Sequence, residues 1–189
     1  MAVTNNSFLR QKGNYKALLV YQKAECIYDL TYHFVHRFLS HSDRTQDQMI
    51  QAARSGKQNI AEGSAAATTS TETELKLTNV AKASLQELLA DYEDYLRVRG
   101  LKQWQEGSEK HQKARLFCKE HNNSQDFTQI AHSCTDETVA NIAIILIKQN
   151  DYLLFRLIEK LKSDFLTNGG VREEMTKARL QSRQQNNNQ

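Results

Sequence analysis

The 189-residue chain contains no proline. Average usage of about 5% would supply roughly nine, so nothing here removes a helical amide or forces a kink. Glycine is scarce as well, with seven residues to punctuate the chain. Cysteine is limited to three, an odd number without regular spacing, which excludes a disulfide framework and points to reduced thiols in a cytoplasm. The opening MAVTNNSFLRQKGN has no basic-then-apolar signal pattern. The longest apolar run, Ile142 to Ile147, is far too short to span a bilayer. A strong charge of one sign is also missing. The net charge of +3 permits nucleic-acid binding without demanding it.

What is present is helix-forming: alanine, leucine, lysine, glutamine and glutamate fill the long segments. Four long helices are expected. The first runs over about 15–39, with Tyr15, Leu19, Cys26, Leu30, Phe34 and Phe38 on one stripe. A turn at His41–Asp43 offers Ser42 or Asp43 as the next N-cap. The second helix, about 44–66, has Met49, Ala53, Gly56, Ile60, Gly63 and Ala67 at heptad-like steps, a seam of small residues that a neighbour can approach closely. Thr71 and Glu74 fit a capping box for the third helix. That helix carries Leu77, Ala81, Leu85, Leu88, Tyr92 and Tyr95 inward and ends at Arg99 and Gly100. Residues 101–134 are more polar and read as an excursion holding short helices near 108–120 and 127–131.

The fourth long helix starts at Thr135 and stops before Gly169. It has two apolar faces. Val139, Ile142, Leu146, Leu153 and Leu157 form one; Ile147, Leu154, Ile158, Leu161 and Phe165 form the other. One stripe suffices for a bundle, so the second needs the excursion or another copy of the chain as partner, and self-association through it is expected. The remainder reads as a flexible basic suffix with a Gln/Asn-rich, disordered end. The expected organisation is an N-terminal segment 1–14, an antiparallel up-down four-helix bundle over 15–168, and a suffix over 169–189.

The helix-2 stretch QMIQAARSGKQNIAEGS resembles a bacterial four-helix-bundle family first noticed in intervening sequences of ribosomal RNA genes. The family's A-x-S-x-x-x-N-I-A-E-G pattern is matched by Ala53, Ser55, Asn59, Ile60, Ala61, Glu62 and Gly63. A second pattern, A-[RK]-x-S-L-x-E-L, is matched by Ala81, Lys82, Ser84, Leu85, Glu87 and Leu88. The likeness covers about residues 15–100 and 135–166, and the extended suffix resembles that of a longer subgroup. Lys57 departs from the proline often found there in short members. The resemblance implies a homopentamer and, through relatives that assist a reverse transcriptase in retroelements, a nucleic-acid-binding accessory role. It supplies no enzymatic activity and no cofactor.

Candidate sites follow from the residues. Ser55, Asn59, Glu62, Ser84 and Glu87 lie near the faces where helices 2 and 3 meet, as either a register-setting hydrogen-bond network or a small polar pocket. Basic residues fall in three places: Arg54 and Lys57; Arg97, Arg99 and Lys102; and the suffix with Arg172, Lys177 and Arg179. They read either as a solvated face or, repeated around a ring, as a phosphate-attracting surface for RNA or DNA. Cys118, His121, His132 and Cys134 offer four soft zinc ligands, a pattern that also arises by chance. No Glu-x-x-His, phosphate-binding glycine loop or Gly-x-Ser-x-Gly elbow occurs. The expectation is therefore a non-enzymatic, homo-oligomeric bundle that binds nucleic acid, with a protein-binding adaptor as the alternative.

Overall fold

The structure, a computed structural model, describes residues 14–187. The expected N-terminal segment therefore lies outside the described residues except for Asn14. Among the described residues the architecture is all-α: a short 3-10 turn, Tyr15–Ala17, then α1 (Leu19–Phe38), α2 (Thr45–Ala66), α3 (Thr71–Val98), α4 (Glu109–Glu120), α5 (Ser124–Ser133), α6 (Asp136–Asn168) and α7 (Val171–Asn187).

Four helices close a ring: α1 packs on α2, α2 on α3, α3 on α6 and α6 on α1. The α2/α3 seam is the tightest. Ala53, Gly56 and Ile60 of α2 are buried against Ala81, Leu85 and Leu88 of α3. A methyl group at Gly56 would stand 2.6 Å from Leu85 Cδ2, so only glycine admits this approach. At the far end of α3, Gly100 adopts φ 65° and the Leu101 amide donates to the Leu96 carbonyl at 2.9 Å. This is a Schellman-type stop. Thr135 caps α6 by accepting from the Thr138 amide, with Asp136 and Glu137 in the first turn.

Several local expectations are corrected. Leu18 is extended, with ψ 125°, so the 3-10 turn and α1 are out of phase. Leu19 consequently faces outward, while Cys26, Leu30 and Phe34 remain in the core. The N-cap of α3 is Ser70, whose hydroxyl accepts from the Thr73 amide at 3.1 Å, not Thr71 with Glu74. Before α2, Asp43 Oδ1 accepts from the Thr45 amide at 3.0 Å, and hydrogen bonds from the Thr45 hydroxyl first and its amide second hold the Asp43 carboxyl below its ordinary range.

The excursion is two helices that cover the groove between α1 and α6, α5 lying on α1 and α4 on α6. Phe127 and Ala131 of α5 and Cys118 of α4 enter the core completely. The second stripe of α6 is covered within one chain. Ile147, Leu154, Ile158 and Leu161 are all buried, and only Phe165, at the end, is exposed. Of the two partners expected for this stripe, the excursion or another copy, a second copy is not needed to bury these four residues.

The suffix is also corrected: it is helical rather than loose. Gly169, at φ 79°, breaks α6. Glu173 then reaches back to the Gly170 amide while the Glu173 amide donates to the Gly170 carbonyl, half of a capping box that starts α7.

Candidate functional site

The residues of the two helix motifs divide by role. Ser55 and Ser84 hydroxyls meet across the α2/α3 seam at 2.9 Å, and Asn59 Nδ2 donates to the Ser55 carbonyl at 2.9 Å and its hydroxyl at 3.2 Å. These three half-buried groups form one chain of hydrogen bonds beside Gly56. Glu62 and Glu87 do not join it; both are exposed, on the outer sides of their helices. The seam therefore carries a hydrogen-bonded network.

The four soft ligands do not converge. Cys118 is buried with its thiol 3.9 Å from the Ile142 carbonyl, and burial pushes that thiol up to about 12. The His121 ring stacks on Phe117, and its Nδ1 pairs with Asp126 at 2.8 Å. His132 packs edge-on against His33, and Cys134 contacts the Ser133 hydroxyl. Among the described residues no group of three or more histidine, cysteine or acidic side chains is placed to hold a metal.

The basic residues lie apart from one another. Arg54 is exposed on α2, and the Lys57 ammonium sits 4.2 Å from the Tyr28 ring centroid. At the end of α3, Arg97 pairs with Asp94 at 2.8 Å and Arg99 covers Tyr95 at 3.9 Å. The Tyr95 hydroxyl donates to Asp136, and burial first, then that carboxylate, raise its pKa to about 12. Arg97 and Arg99 thus each have a local partner. In α7, helical register puts positions 172, 179 and 183 on one face. Arg179 and Arg183 are exposed there, and Lys177 is exposed on another side of the helix.

Two clusters escaped the sequence reading. Lys23 is buried on α1, and its ammonium donates to the carbonyls of Cys118 and His121, the latter at 2.8 Å. Desolvation by burial lowers its pKa. Arg37 donates to the carbonyls of Ala131 and Cys134, at 2.6 and 3.0 Å. No sequence signal marks either pairing, because the partners are backbone groups of another segment. The second cluster is a cleft of about 210 Å³ at the start of α4, lined by Trp104, Lys102, Lys110 and Glu137 among others. The single tryptophan in a polar, lysine-bearing segment is the signal that could have found it.

Together the fold and these sites define an all-α helical bundle whose fourth long helix is preceded by a two-helix cover. Comparison with protein-family models, curated proteins and solved structures gives no match to the chain. No described helix is long and apolar enough to cross a membrane.

Proposed function

We propose that the chain is a non-enzymatic bundle protein that binds RNA or DNA and serves as an accessory subunit of a nucleoprotein or reverse-transcriptase assembly. The observation that carries this reading is the arginine-bearing face of α7. Glu173 lies roughly 80–120° around the helix from those positions and is turned to the Gly170 amide, so it does not sit in the stripe. A helix with such a stripe can lie along a phosphate backbone, where each neutralised phosphate releases counterions and makes binding salt-dependent. The helix-2 and helix-3 motifs add the family likeness, and that likeness alone suggests a pentamer.

Binding of the full chain to a structured RNA and to duplex DNA, compared at low and high salt, tests the reading. Affinity that falls as salt rises, and that is lost in Arg179→Glu with Arg183→Glu, is expected. No binding at low salt overturns it.

One observation favours a second reading, a protein-binding adaptor. On the outer side of α6, Tyr152 and Phe155 are 57% and 48% exposed on adjoining turns, and Leu166, about three turns further along the same side, is 84% exposed. A second copy of this chain or another protein would cover that face, and light scattering coupled to gel filtration separates the two.

A further inference from the structure

We infer that the cleft at the start of α4 is a stacking site for one unpaired nucleobase, with Trp104 as the platform and Lys102 and Lys110 holding the adjoining phosphates. The inference deepens the nucleic-acid reading and rests on it, but uses a surface separate from α7.

The cleft is built by its neighbours. Asn141 of α6, buried, accepts from the Trp104 amide at 2.7 Å and donates to the Lys102 carbonyl at 2.9 Å, which fixes the strand of chain bearing both residues. One part of the Trp104 side chain packs on the core and the rest lines the cleft. The Lys110 ammonium lies over the indole, 5.8 Å from the ring centroid, and swings aside on its flexible stem when a base takes that face; the Lys102 side chain is exposed on the rim. Ser108 caps α4 at the same rim, so the positive end of that helix adds to the two ammonium groups.

Size and chemistry select the ligand. A cleft of about 210 Å³ is below the roughly 300–1,000 Å³ of sites for drug-sized molecules, so it admits one flat ring rather than an extended ligand. An indole face with nearby cations is the pairing by which single strands are held, base on the ring and phosphate on the charge. The acids at the rim do not cancel this. Glu109 is paired with Lys113 at 2.6 Å, and Glu137 accepts from the Lys102 amide at 3.2 Å, leaving its second oxygen for a base amino group. The indole Nε1 is buried without a hydrogen-bond partner. A duplex, whose bases are stacked and paired, cannot present a ring to the cleft.

Because Trp104 is the only tryptophan, its fluorescence in the full chain reports the site directly. The titrants are a single-stranded oligonucleotide, the duplex of the same sequence, and a nucleoside monophosphate. Saturable quenching by the single strand and not by the duplex is expected. Trp104→Ala should weaken single-strand affinity by about tenfold, and Lys102→Glu with Lys110→Glu, both on the surface, should do the same while preserving the melting temperature. Tighter binding of the oligonucleotide than of the monophosphate identifies a polymer as the ligand, and the reverse identifies a free nucleotide; either supports the site. Absence of quenching, or equal quenching by the duplex, overturns it. If the α7 variant loses binding while Trp104 never responds, the cleft fails and the nucleic-acid reading stands.

Discussion

Lys23 and Arg37, two heptads apart on α1, each close the C-terminal end of a different helix of the cover: Lys23 that of α4, Arg37 that of α5. A cation at a helix C-terminus meets the free carbonyls and the negative end of the dipole together. The two contacts fix where the excursion lies, and through it which face of α6 is covered.

Removing these ties should loosen the cover before the bundle. Lys23→Ala leaves the Cys118 and His121 carbonyls without their donor, a loss of about 1–3 kcal/mol. Hydrogen exchange of residues 115–123 should accelerate strongly while amides of the α2/α3 seam keep their protection. Arg37 is more exposed, and Arg37→Ala should cost less. Uniform acceleration across the chain would show that the cover is not a separate unit.

The two seam glycines should respond differently. At Gly56 an added methyl meets Leu85 Cδ2 at 2.6 Å and Cγ at 2.7 Å, and Leu85 has no room to withdraw because it is fully buried. Gly56→Ala should destabilise by about 1–3 kcal/mol despite the better helix propensity of alanine. At Gly63 the nearest atoms are 3.4 Å away, an ordinary contact. Gly63→Ala should therefore be neutral or raise stability by up to about 1 kcal/mol. Denaturant melts of both variants decide the matter, and equal losses would contradict the seam geometry.

The thiols give a pH prediction with a definite sign. Burial pushes Cys26 and Cys118 each up to about 12, so the folded state keeps two protons that the unfolded chain releases at ordinary thiol pKa values. Their contribution to stability is complete below pH about 8.5 and declines as pH rises from there toward 12. Replacing both by alanine should flatten that decline. In the native protein at neutral pH a thiol reagent should modify Cys134, which is partly exposed, and reach Cys26 and Cys118 only after unfolding.

The sequence made the long helices legible because their signals are local. Heptad steps, Thr135 and Gly100 mark faces and ends within a few residues, and the excursion's short helices fall close to where polarity and spacing put them. The path of the excursion was not legible. Lys23 sits in an apolar stripe as an ordinary charge, and its partners lie 95 and 98 positions away on the backbone, which carries no side-chain signature. The α7 helix was missed for a related reason: its polar composition reads as a solvated tail, while Gly170 and Glu173 start a helix without an apolar stripe. Ser55, Asn59 and Ser84 were recognisable as a network by spacing, whereas Glu62 and Glu87 share the motif but point outward.

The covered stripe of α6 reverses one expected experiment. If Leu154 and Ile158 formed a contact between copies, glutamate at both would dissociate an assembly and leave each chain folded. Both are instead at most 5% exposed inside one chain. Two carboxylates there have neither water nor a cation, and burying an unpaired charge costs several kcal/mol or forces it to take a proton. Leu154→Glu with Ile158→Glu should therefore lose its cooperative thermal transition at pH 7 and recover part of it in acid, as the carboxyls protonate. Tyr152→Glu with Phe155→Glu, on the outer side of the same helix, should melt within about 0.5 kcal/mol of the unaltered chain. If copies associate through that outer face, only this second pair lowers the mass seen by light scattering while the helical signal persists. A Leu154/Ile158 variant that stays folded and merely loses mass would show that the stripe is an interface between copies after all.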